Sequence, residues 1–142
     1  MSELIPSTCL AVATLIGEAG GEPHEGKVGV AIVLRNRMKL RYASDGTVAG
    51  TVLRSKQFSM YNDDHPDTQL FVRVCQTDDL SPVAAACFQA WHESGNEAAR
   101  AQFWQDFERV VLYHTEAVKP EWANKATFVR KIGRHLFYED RT

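Results

Sequence analysis

The 142-residue chain has few cysteines, no excess of basic residues and no long hydrophobic run. Its cysteines, Cys9, Cys75 and Cys87, include no close pair, which argues against a disulfide framework and a paired-cysteine zinc ribbon. Lys and Arg number 16 against 18 Asp and Glu, so no overall basic field attracts nucleic acid or anionic lipid. The longest nearly apolar run, residues 9–17, is too short to span a bilayer. We therefore expect neither nucleic-acid binding nor membrane insertion. We also expect the cysteines to be buried in the protein and to remain reduced, as in a chain that folds in the cytosol.

What the chain does contain is typical of a globular protein, with 44% hydrophobic and 24% charged residues. No internal repeat, low-complexity tract or linker-like segment divides it. We therefore predict one domain over residues 1–142, which is long enough to bury a hydrophobic core without covalent cross-links.

Helical periodicity dominates the start of the chain and returns after residue 80. Apolar spacing predicts helices over about 8–17, 24–39, 81–92 and 97–107. Residues 42–79 lose that period and are broken by Gly, Asn, Asp and Pro, so loops with at most short strands are expected there. Segments 110–114 and 135–138 are rich in β-branched and aromatic residues and predict short strands. The fold class predicted is α+β, mostly helical, with a small antiparallel sheet and a long irregular segment.

Glu18 is the strongest candidate for acid catalysis. It lies where an apolar helix is ending, and Ala13, Leu15 and Ile16 precede it. A carboxyl group against an apolar wall loses hydration, which raises its pKa and keeps it protonated for donation to a leaving oxygen. The glycines that follow would let a polymeric substrate approach the backbone closely. Glu22 and Glu25 have a simpler interpretation as favourable charges at the N-terminus of the second helix.

Two further clusters combine polar and aromatic side chains. Gln57, Phe58, Ser59 and Tyr61 lie in the irregular segment and resemble the lining of a carbohydrate cleft, although a loop pinned by Phe58 is an equally simple reading. The second half of the chain adds Tyr113, His114, Thr115, Trp122 and His135. The five histidines form no His-x-x-x-His pair, so no metal site and no cofactor is expected. Nucleophile-elbow, Walker A and dinucleotide-binding motifs are absent from the sequence.

Taken in order, these segments resemble the cell-wall hydrolase family that includes the spore cortex-lytic enzymes. The similarity lies in GEAGGEPHEGKV at residues 17–28, in the Asn36-Arg37 pair that follows, in QFS at 57–59, in YHT at 113–115, and in IGRHLFY at 132–138. It covers residues about 10 to 138. The resemblance implies a lysozyme-like domain that cleaves the glycan strands of peptidoglycan, with Glu18 as the catalytic residue. It also implies that Gln57, Phe58, Ser59, Tyr113, His114, Thr115, Trp122 and His135 build or brace the substrate groove.

The expected reaction is cleavage of the β-1,4 bond between N-acetylmuramic acid and N-acetylglucosamine after protonation by Glu18. A two-carboxylate glycosidase would need a partner for Glu18, and no sequence motif singles one out. The candidates are Glu22, Glu25, Asp45, Asp63 and Asp64. Lytic transglycosylation, which the spore enzymes are regarded as performing, is favoured slightly over hydrolysis by an N-acetylmuramidase.

The N-terminus lacks the basic and apolar segments of a secretory signal. For a cell-wall enzyme, that absence suggests a monomeric phage endolysin, held in the host cytoplasm until a holin releases it to the wall. Two alternatives remain at this point: a non-catalytic peptidoglycan-binding or virion protein, and a zinc-dependent amidase.

Overall fold

The computed structural model describes residues 7–54 and 82–141, in which helices come first and a small sheet follows. The α-helices are α1 (Ser7–Ala19), α2 (His24–Leu40), α3 (Val48–Val52), α4 (Pro82–Ser94) and α5 (Glu97–Phe103). Short 3₁₀ turns occupy Gln105–Phe107 and Glu121–Asn124. The strands are β1 (Val110–Thr115), β2 (Thr127–Ile132) and β3 (His135–Glu139). The predicted α+β class, mostly helical with a small antiparallel sheet, is confirmed.

Helix α2 is the central element, because it packs against α1, α4 and β1 and is buried along most of its length. Gly29 lets the sheet approach it closely: a Cβ atom at this position would lie 2.8 Å from Cζ of Phe137. Asn36, in the last part of the same helix, donates from Nδ2 to the carbonyl oxygens of Phe107 at 2.6 Å and Val110 at 2.9 Å. Helix α2 therefore joins the helical layer to the sheet both by packing and by hydrogen bonds.

The sheet has the strand order β1-β3-β2, and both pairs are antiparallel. Side chains alternate between its faces. The inner face carries Tyr113, His135 and Phe137, and it packs towards Phe107 in the core. The outer face carries His114 and Tyr138, whose rings stack at 5.3 Å. Tyr113 and His114, which are neighbours in β1, thus lie on opposite faces of the sheet. Both faces extend to the end of the sheet where β1 finishes and β3 begins.

The turn between α1 and α2 is tight. The amide of Gly20 donates to the carbonyl oxygen of Ile16 at 3.1 Å, and a Cβ at position 20 would lie 2.5 Å from that oxygen. The amide of Glu22 then donates to Ala19 O at 3.0 Å, and Pro23 precedes the first residue of α2. Glycine at position 20 therefore allows the chain to reverse direction immediately after Glu18.

Two local predictions were wrong, and one strand was not predicted. Helix α3 lies inside the segment expected to hold loops; it is only five residues long, and its N-terminus is capped by Thr47, whose Oγ1 accepts from the amide of Gly50 at 2.9 Å. Strand β2 was missed because its sequence, TFVRKI, places two basic residues in an edge strand. The fourth predicted helix ends at Phe103 instead of continuing to 107, because Trp104 leaves helical geometry and is buried.

Two of the three predicted buried cysteines can be placed: Cys87 is buried, and Cys9 is half-buried. Burial raises the pKa of the Cys87 thiol to about 11, so it stays protonated at neutral pH. Cys75 lies outside the described residues. None of the described helices combines the length and the apolar character needed to cross a bilayer.

Candidate active site

An open groove of about 440 Å³ lies between the end of α1 and the end of the sheet where β1 finishes. Helix α1 contributes Glu18, strand β1 and the segment after it contribute one wall, and His135 at the start of β3 lies beside them. The described lining residues are Gly17, Glu18, Tyr113, His114, Thr115, Val118, Pro120, Trp122 and His135. The structure therefore brings together six residues that the sequence singled out from distant parts of the chain.

Glu18 is half-buried in the last turn of α1 and contacts Tyr113, which lies on the inner face of the sheet. The hydroxyl of Tyr113 donates a hydrogen bond to Glu18 Oε1. Burial, the charge of Glu18 and this hydrogen bond raise the pKa of Tyr113 well above its ordinary value. The phenol therefore stays protonated over the whole physiological range and acts as a fixed donor to one carboxyl oxygen.

Arg37 places a buried positive charge close to this pair. Its side chain comes from α2, is 6% exposed, and donates from Nε to the carbonyl oxygen of Val111 at 2.7 Å. Burial lowers the pKa of Arg37, and the neighbouring Tyr113, Tyr42 and Glu18 oppose that shift. Because an arginine guanidinium keeps its charge in proteins, Arg37 supplies a permanent cation near Glu18.

From the sequence, Arg37 belongs to the Asn36-Arg37 motif and is one of the basic residues that favour the C-terminal end of α2, with no predicted part in the site. The signal was present, because residue 37 follows Val33 by four positions and Leu34 by three, which places it on the apolar face of α2. A charged residue on such a face requires a buried partner.

The sequence interpreted Glu22 as a charge at the N-terminus of α2, and the structure shows in addition that Glu22 is buried. Its side chain is 3% exposed, and its carboxylate accepts from the backbone amide of Arg134 at 2.8 Å and from Arg134 Nε at 3.0 Å. Burial opposes ionisation, but these hydrogen bonds and the attraction of His135, when it is protonated, and of Arg134 outweigh it and lower the pKa of Glu22. The α1–α2 turn is thereby fixed to the β2–β3 turn, so Glu22 shapes the groove without lining it.

His135 supports the wall of the groove and exposes little of its own surface inside it. The residue is 2% exposed, and its ring packs edge-on against Tyr113 with centroids 5.0 Å apart. Its buried Nδ1 lies 3.7 Å from Glu22 Oε1, beyond hydrogen-bond distance. Burial lowers the pKa of His135, with Arg134 and His114 adding to the shift and Glu22 opposing it, so the ring is neutral at neutral pH.

His114 and Trp122 form the aromatic wall of the groove. The Nδ1 of His114 lies 2.8 Å from Thr115 O and must donate to it, because a carbonyl oxygen can only accept. In the neutral ring, Nε2 then accepts from the hydroxyl of Tyr138 at 2.8 Å. Trp122 packs edge-on to both rings, at 5.6 Å from His114 and 5.2 Å from Tyr138. Both ring nitrogens of His114 are thus engaged, which fixes the orientation of the ring.

The other candidate carboxylates do not reach the groove or cannot be placed. Asp45 is exposed and accepts from the amide and hydroxyl of Thr47, which lower its pKa. Glu25 is an exposed residue in the first turn of α2, as expected. Among the described residues that line the groove, Glu18 is the only carboxylate. The remaining predicted site residues lie outside the described residues: Gln57, Phe58, Ser59, Tyr61, Asp63 and Asp64.

Within residues 7–54 and 82–141, no three His, Cys, Asp or Glu side chains are grouped so that they could hold a metal ion.

Comparison with known families gives one match over most of the chain. A family model described as Cell Wall Hydrolase matches residues 21–138. The matched range begins three residues after Glu18 and includes the groove residues contributed by the sheet and the loop after β1.

The most similar curated proteins include spore cortex-lytic enzymes. The one from Oceanobacillus iheyensis is 25% identical over 128 residues, which are 90% of this chain and 40% of that protein. The one from Bacillus subtilis is 23% identical over 130 residues, or 92% of this chain and 36% of that protein. The chain thus spans about two-fifths of the length of the curated relatives it matches.

Two solved structures share the fold over nearly the whole chain. The catalytic domain of the germination-specific lytic transglycosylase SleB from Bacillus anthracis has a TM-score of 0.66 at 19% identity, covering 94% of this chain and 93% of that one. The catalytic domain of the Bacillus cereus SleB protein has a TM-score of 0.65 at 20% identity, with coverages of 94% and 89%.

Proposed function

Because the chain belongs to the cell wall hydrolase family, we propose that it degrades peptidoglycan by cleaving its glycan strands. The bond is the β-1,4 link from N-acetylmuramic acid to N-acetylglucosamine, and Glu18 is the residue that protonates the bridging oxygen. The observation that carries this proposal is the hydrogen-bonded pair of Glu18 and Tyr113 in an open groove, with Glu18 as the one carboxylate among the described lining residues.

Tyr113 determines which oxygen of Glu18 holds the proton. Because the phenol donates to Oε1, that oxygen acts as the acceptor, and the proton to be transferred resides on Oε2. The donor also fixes the rotation of the carboxyl group, which general acid catalysis requires for transfer along a short path. Tyr113 is therefore a positioning residue for Glu18, instead of the substrate-binding residue that the sequence suggested.

Arg37 acts after the proton has left. Donation turns Glu18 into a carboxylate in a half-buried site, and an isolated charge there would be poorly solvated. The buried guanidinium of Arg37 and the hydroxyl of Tyr113 both stabilise that negative charge. The same carboxylate can then accept a proton in the second half of the reaction.

We propose lytic transglycosylation as the reaction. Glu18 gives its proton to the bridging oxygen, the bond from that oxygen to C1 of the muramyl ring breaks, and positive charge develops at C1. The 6-hydroxyl of the same muramyl unit attacks C1 and releases its proton to Glu18. The products are a 1,6-anhydromuramyl end and a free N-acetylglucosamine end, and Glu18 is restored. One carboxylate that serves as acid and then as base suffices for this sequence.

The groove wall supplies the binding surface. Trp122 and the oriented ring of His114 offer aromatic faces, and Thr115 offers a hydroxyl at the exposed edge. Sites for small ligands commonly combine apolar surface with a few fixed polar groups of this kind. We assign His135 the bracing role, because its ring is buried behind Tyr113.

The test is mass spectrometry of purified peptidoglycan digested by the protein. Anhydromuramyl ends are the expected product. Reducing muramyl ends would instead mean that a water molecule attacks C1, and would refute transglycosylation while leaving the glycosidase assignment in place. Released stem peptides, in an activity abolished by a chelator and restored by zinc, would replace the proposal with an amidase.

A sedimentation experiment tests the alternative that the protein binds peptidoglycan without cleaving it. If the protein sediments with insoluble peptidoglycan but releases no fragments, the catalytic proposal is wrong. Gln57, Phe58, Ser59 and Tyr61 stay predicted contributors to the groove, and the phage endolysin setting and the monomeric state stay predictions.

A further inference from the structure

The outer face of the sheet carries a row of aromatic rings that begins at the groove. His114 of β1 and Tyr138 of β3 lie diagonally on this face, and the β2 residue paired directly with Tyr138 is Phe128. Ring centroids are 5.3 Å apart for His114 and Tyr138, and 5.6 Å apart for Tyr138 and Phe128. The row therefore crosses all three strands, from the strand that lines the groove to the far edge strand.

Trp122 connects this row to the groove. It lines the groove and also packs edge-on against both His114 and Tyr138 on the outer face of the sheet. A ligand that leaves the groove past Trp122 would therefore pass directly onto the outer face. Trp122, His114 and, at the far end, Phe128 supply aromatic rings along that path, and the buried ring of Tyr138 packs against all three.

Phe128 ends the row with its ring in solvent. It is 53% exposed, whereas its neighbour Tyr138 is 6% exposed. Single exposed apolar residues are common on protein surfaces, but this one continues an aromatic row that starts in the groove. The Phe128 ring meets the buried Tyr138 at an interplanar angle of 67°, and its exposed half is the surface on which the apolar face of a sugar would stack.

Polar groups lie between the groove and Phe128. Lys131 of β2 is paired with Leu136 of β3, which places it on the same face, and its Nζ lies 2.7 Å from Oε2 of Glu116. Both side chains of this ion pair are about half exposed, at 49% and 50%. They offer an ammonium donor and carboxylate acceptors to hydroxyl or acetamide groups of a glycan.

We propose that the outer sheet face is an additional glycan subsite, in which a sugar remote from the cleaved bond stacks on Phe128. The inference rests on the proposed function, because the occupant is a longer stretch of the strand that Glu18 cleaves. It gives the protein a preference for long strands over short fragments. Phe128 does not line the groove that holds Glu18, so it contributes to binding and not to the chemical step.

The experiment compares long glycan strands with the shortest oligosaccharide that the parent protein cleaves. Phe128→Leu keeps an apolar side chain on the sheet but removes the flat ring. We expect kcat/KM on long strands to fall about five- to tenfold through KM, which corresponds to losing about 1 kcal/mol of an aromatic contact. The same variant should cleave the short oligosaccharide at the parent rate. Phe128→Tyr and Phe128→Trp should retain the preference for long strands.

The matched control is Phe103→Leu, since Phe103 is 61% exposed at the end of α5, outside the sheet. It should leave both substrates unaffected. Parent-like cleavage of long strands by Phe128→Leu would overturn the subsite, and so would an equal loss on both substrates, which indicates a structural role.

A binding measurement separates failure of the subsite from failure of the proposed function. The affinity for long glycan strands is measured for the Glu18→Gln variant and for the double variant that carries both Glu18→Gln and Phe128→Leu. Weaker binding by the double variant supports the subsite even if the parent cleaves nothing, and equal binding refutes it.

Discussion

Replacing Glu22 by alanine should destabilise the protein more than any other single loss of a carboxylate among the described residues. Glu22 is almost fully buried, and its carboxylate holds the backbone amide and the guanidinium of Arg134 across the α1–α2 and β2–β3 turns. Its loss removes both acceptors at once and leaves the part-buried amide of Arg134 without its partner.

The size of the effect follows from the two halves of that interaction. A part-buried amide that loses its charged acceptor costs about 1–3 kcal/mol. The guanidinium of Arg134 adds at most about 1 kcal/mol, because its side chain is 68% exposed and returns to water. We expect Glu22→Ala to lower the free energy of unfolding by about 1–4 kcal/mol, which is about 3–12 °C in melting temperature for a domain of this size.

The assay is thermal and urea unfolding followed by circular dichroism, with Glu25→Ala as the control. Glu25 is exposed at the start of the same helix, so its loss should cost less than about 1 kcal/mol. A Glu22→Ala variant as stable as Glu25→Ala would refute the buried interaction.

The same group predicts a pH dependence. Because the folded-state pKa of Glu22 is lowered, its contribution to stability is present above the unfolded carboxyl pKa near 4.5 and is lost as the pH falls below it. The parent should therefore lose stability between pH 7 and acid pH more steeply than Glu22→Gln, whose amide does not titrate. Parallel stability curves for the two proteins would contradict this sign.

Three further changes test the site and the core. Tyr113→Phe should reduce kcat about 10- to 100-fold with little change in KM, because it removes one hydrogen bond to a charged group, and Tyr42→Phe serves as the control in steady-state assays. Asn36→Ala should cost about 2–4 kcal/mol in urea unfolding, because two buried carbonyl oxygens lose their donor. Gly29→Ala should cost about 1–3 kcal/mol, because its Cβ would meet Phe137 at 2.8 Å. Parent-like values for any of these variants would contradict the corresponding contact.

Local sequence signals predicted most of the described elements. The apolar spacing of α1 and α2 placed both helices to within two residues, and the β-rich segments beginning at Val110 and His135 are strands. The signals failed where an element is short or lies at an edge. Helix α3 is shorter than two turns, and β2 carries two basic residues, so neither shows a usable period.

The candidate site was predictable in membership but not in its interactions. The motif around Glu18 and the cluster from Tyr113 to Trp122 pointed to residues that do line one groove. The contacts between them join residues that are far apart in the sequence. Glu18 and Tyr113 are separated by 95 positions, and Glu22 and Arg134 by 112. No local pattern encodes such pairs. For that reason the sequence could name Tyr113 as part of the groove and Glu22 as a charge near a helix N-terminus, but not the partner of either.

The central claim is that Glu18 donates the proton. Its most direct test is the rate of bond cleavage by Glu18→Gln, measured as new chain ends released per enzyme from purified glycan strands, beside Glu25→Gln as the matched control. The amide keeps the shape of the side chain and an oxygen acceptor for Tyr113 but has no acidic proton. We expect a loss of about 10²- to 10⁴-fold at unchanged folding and strand binding, and no loss for Glu25→Gln. Cleavage by Glu18→Gln within a few-fold of the parent rate would contradict the account.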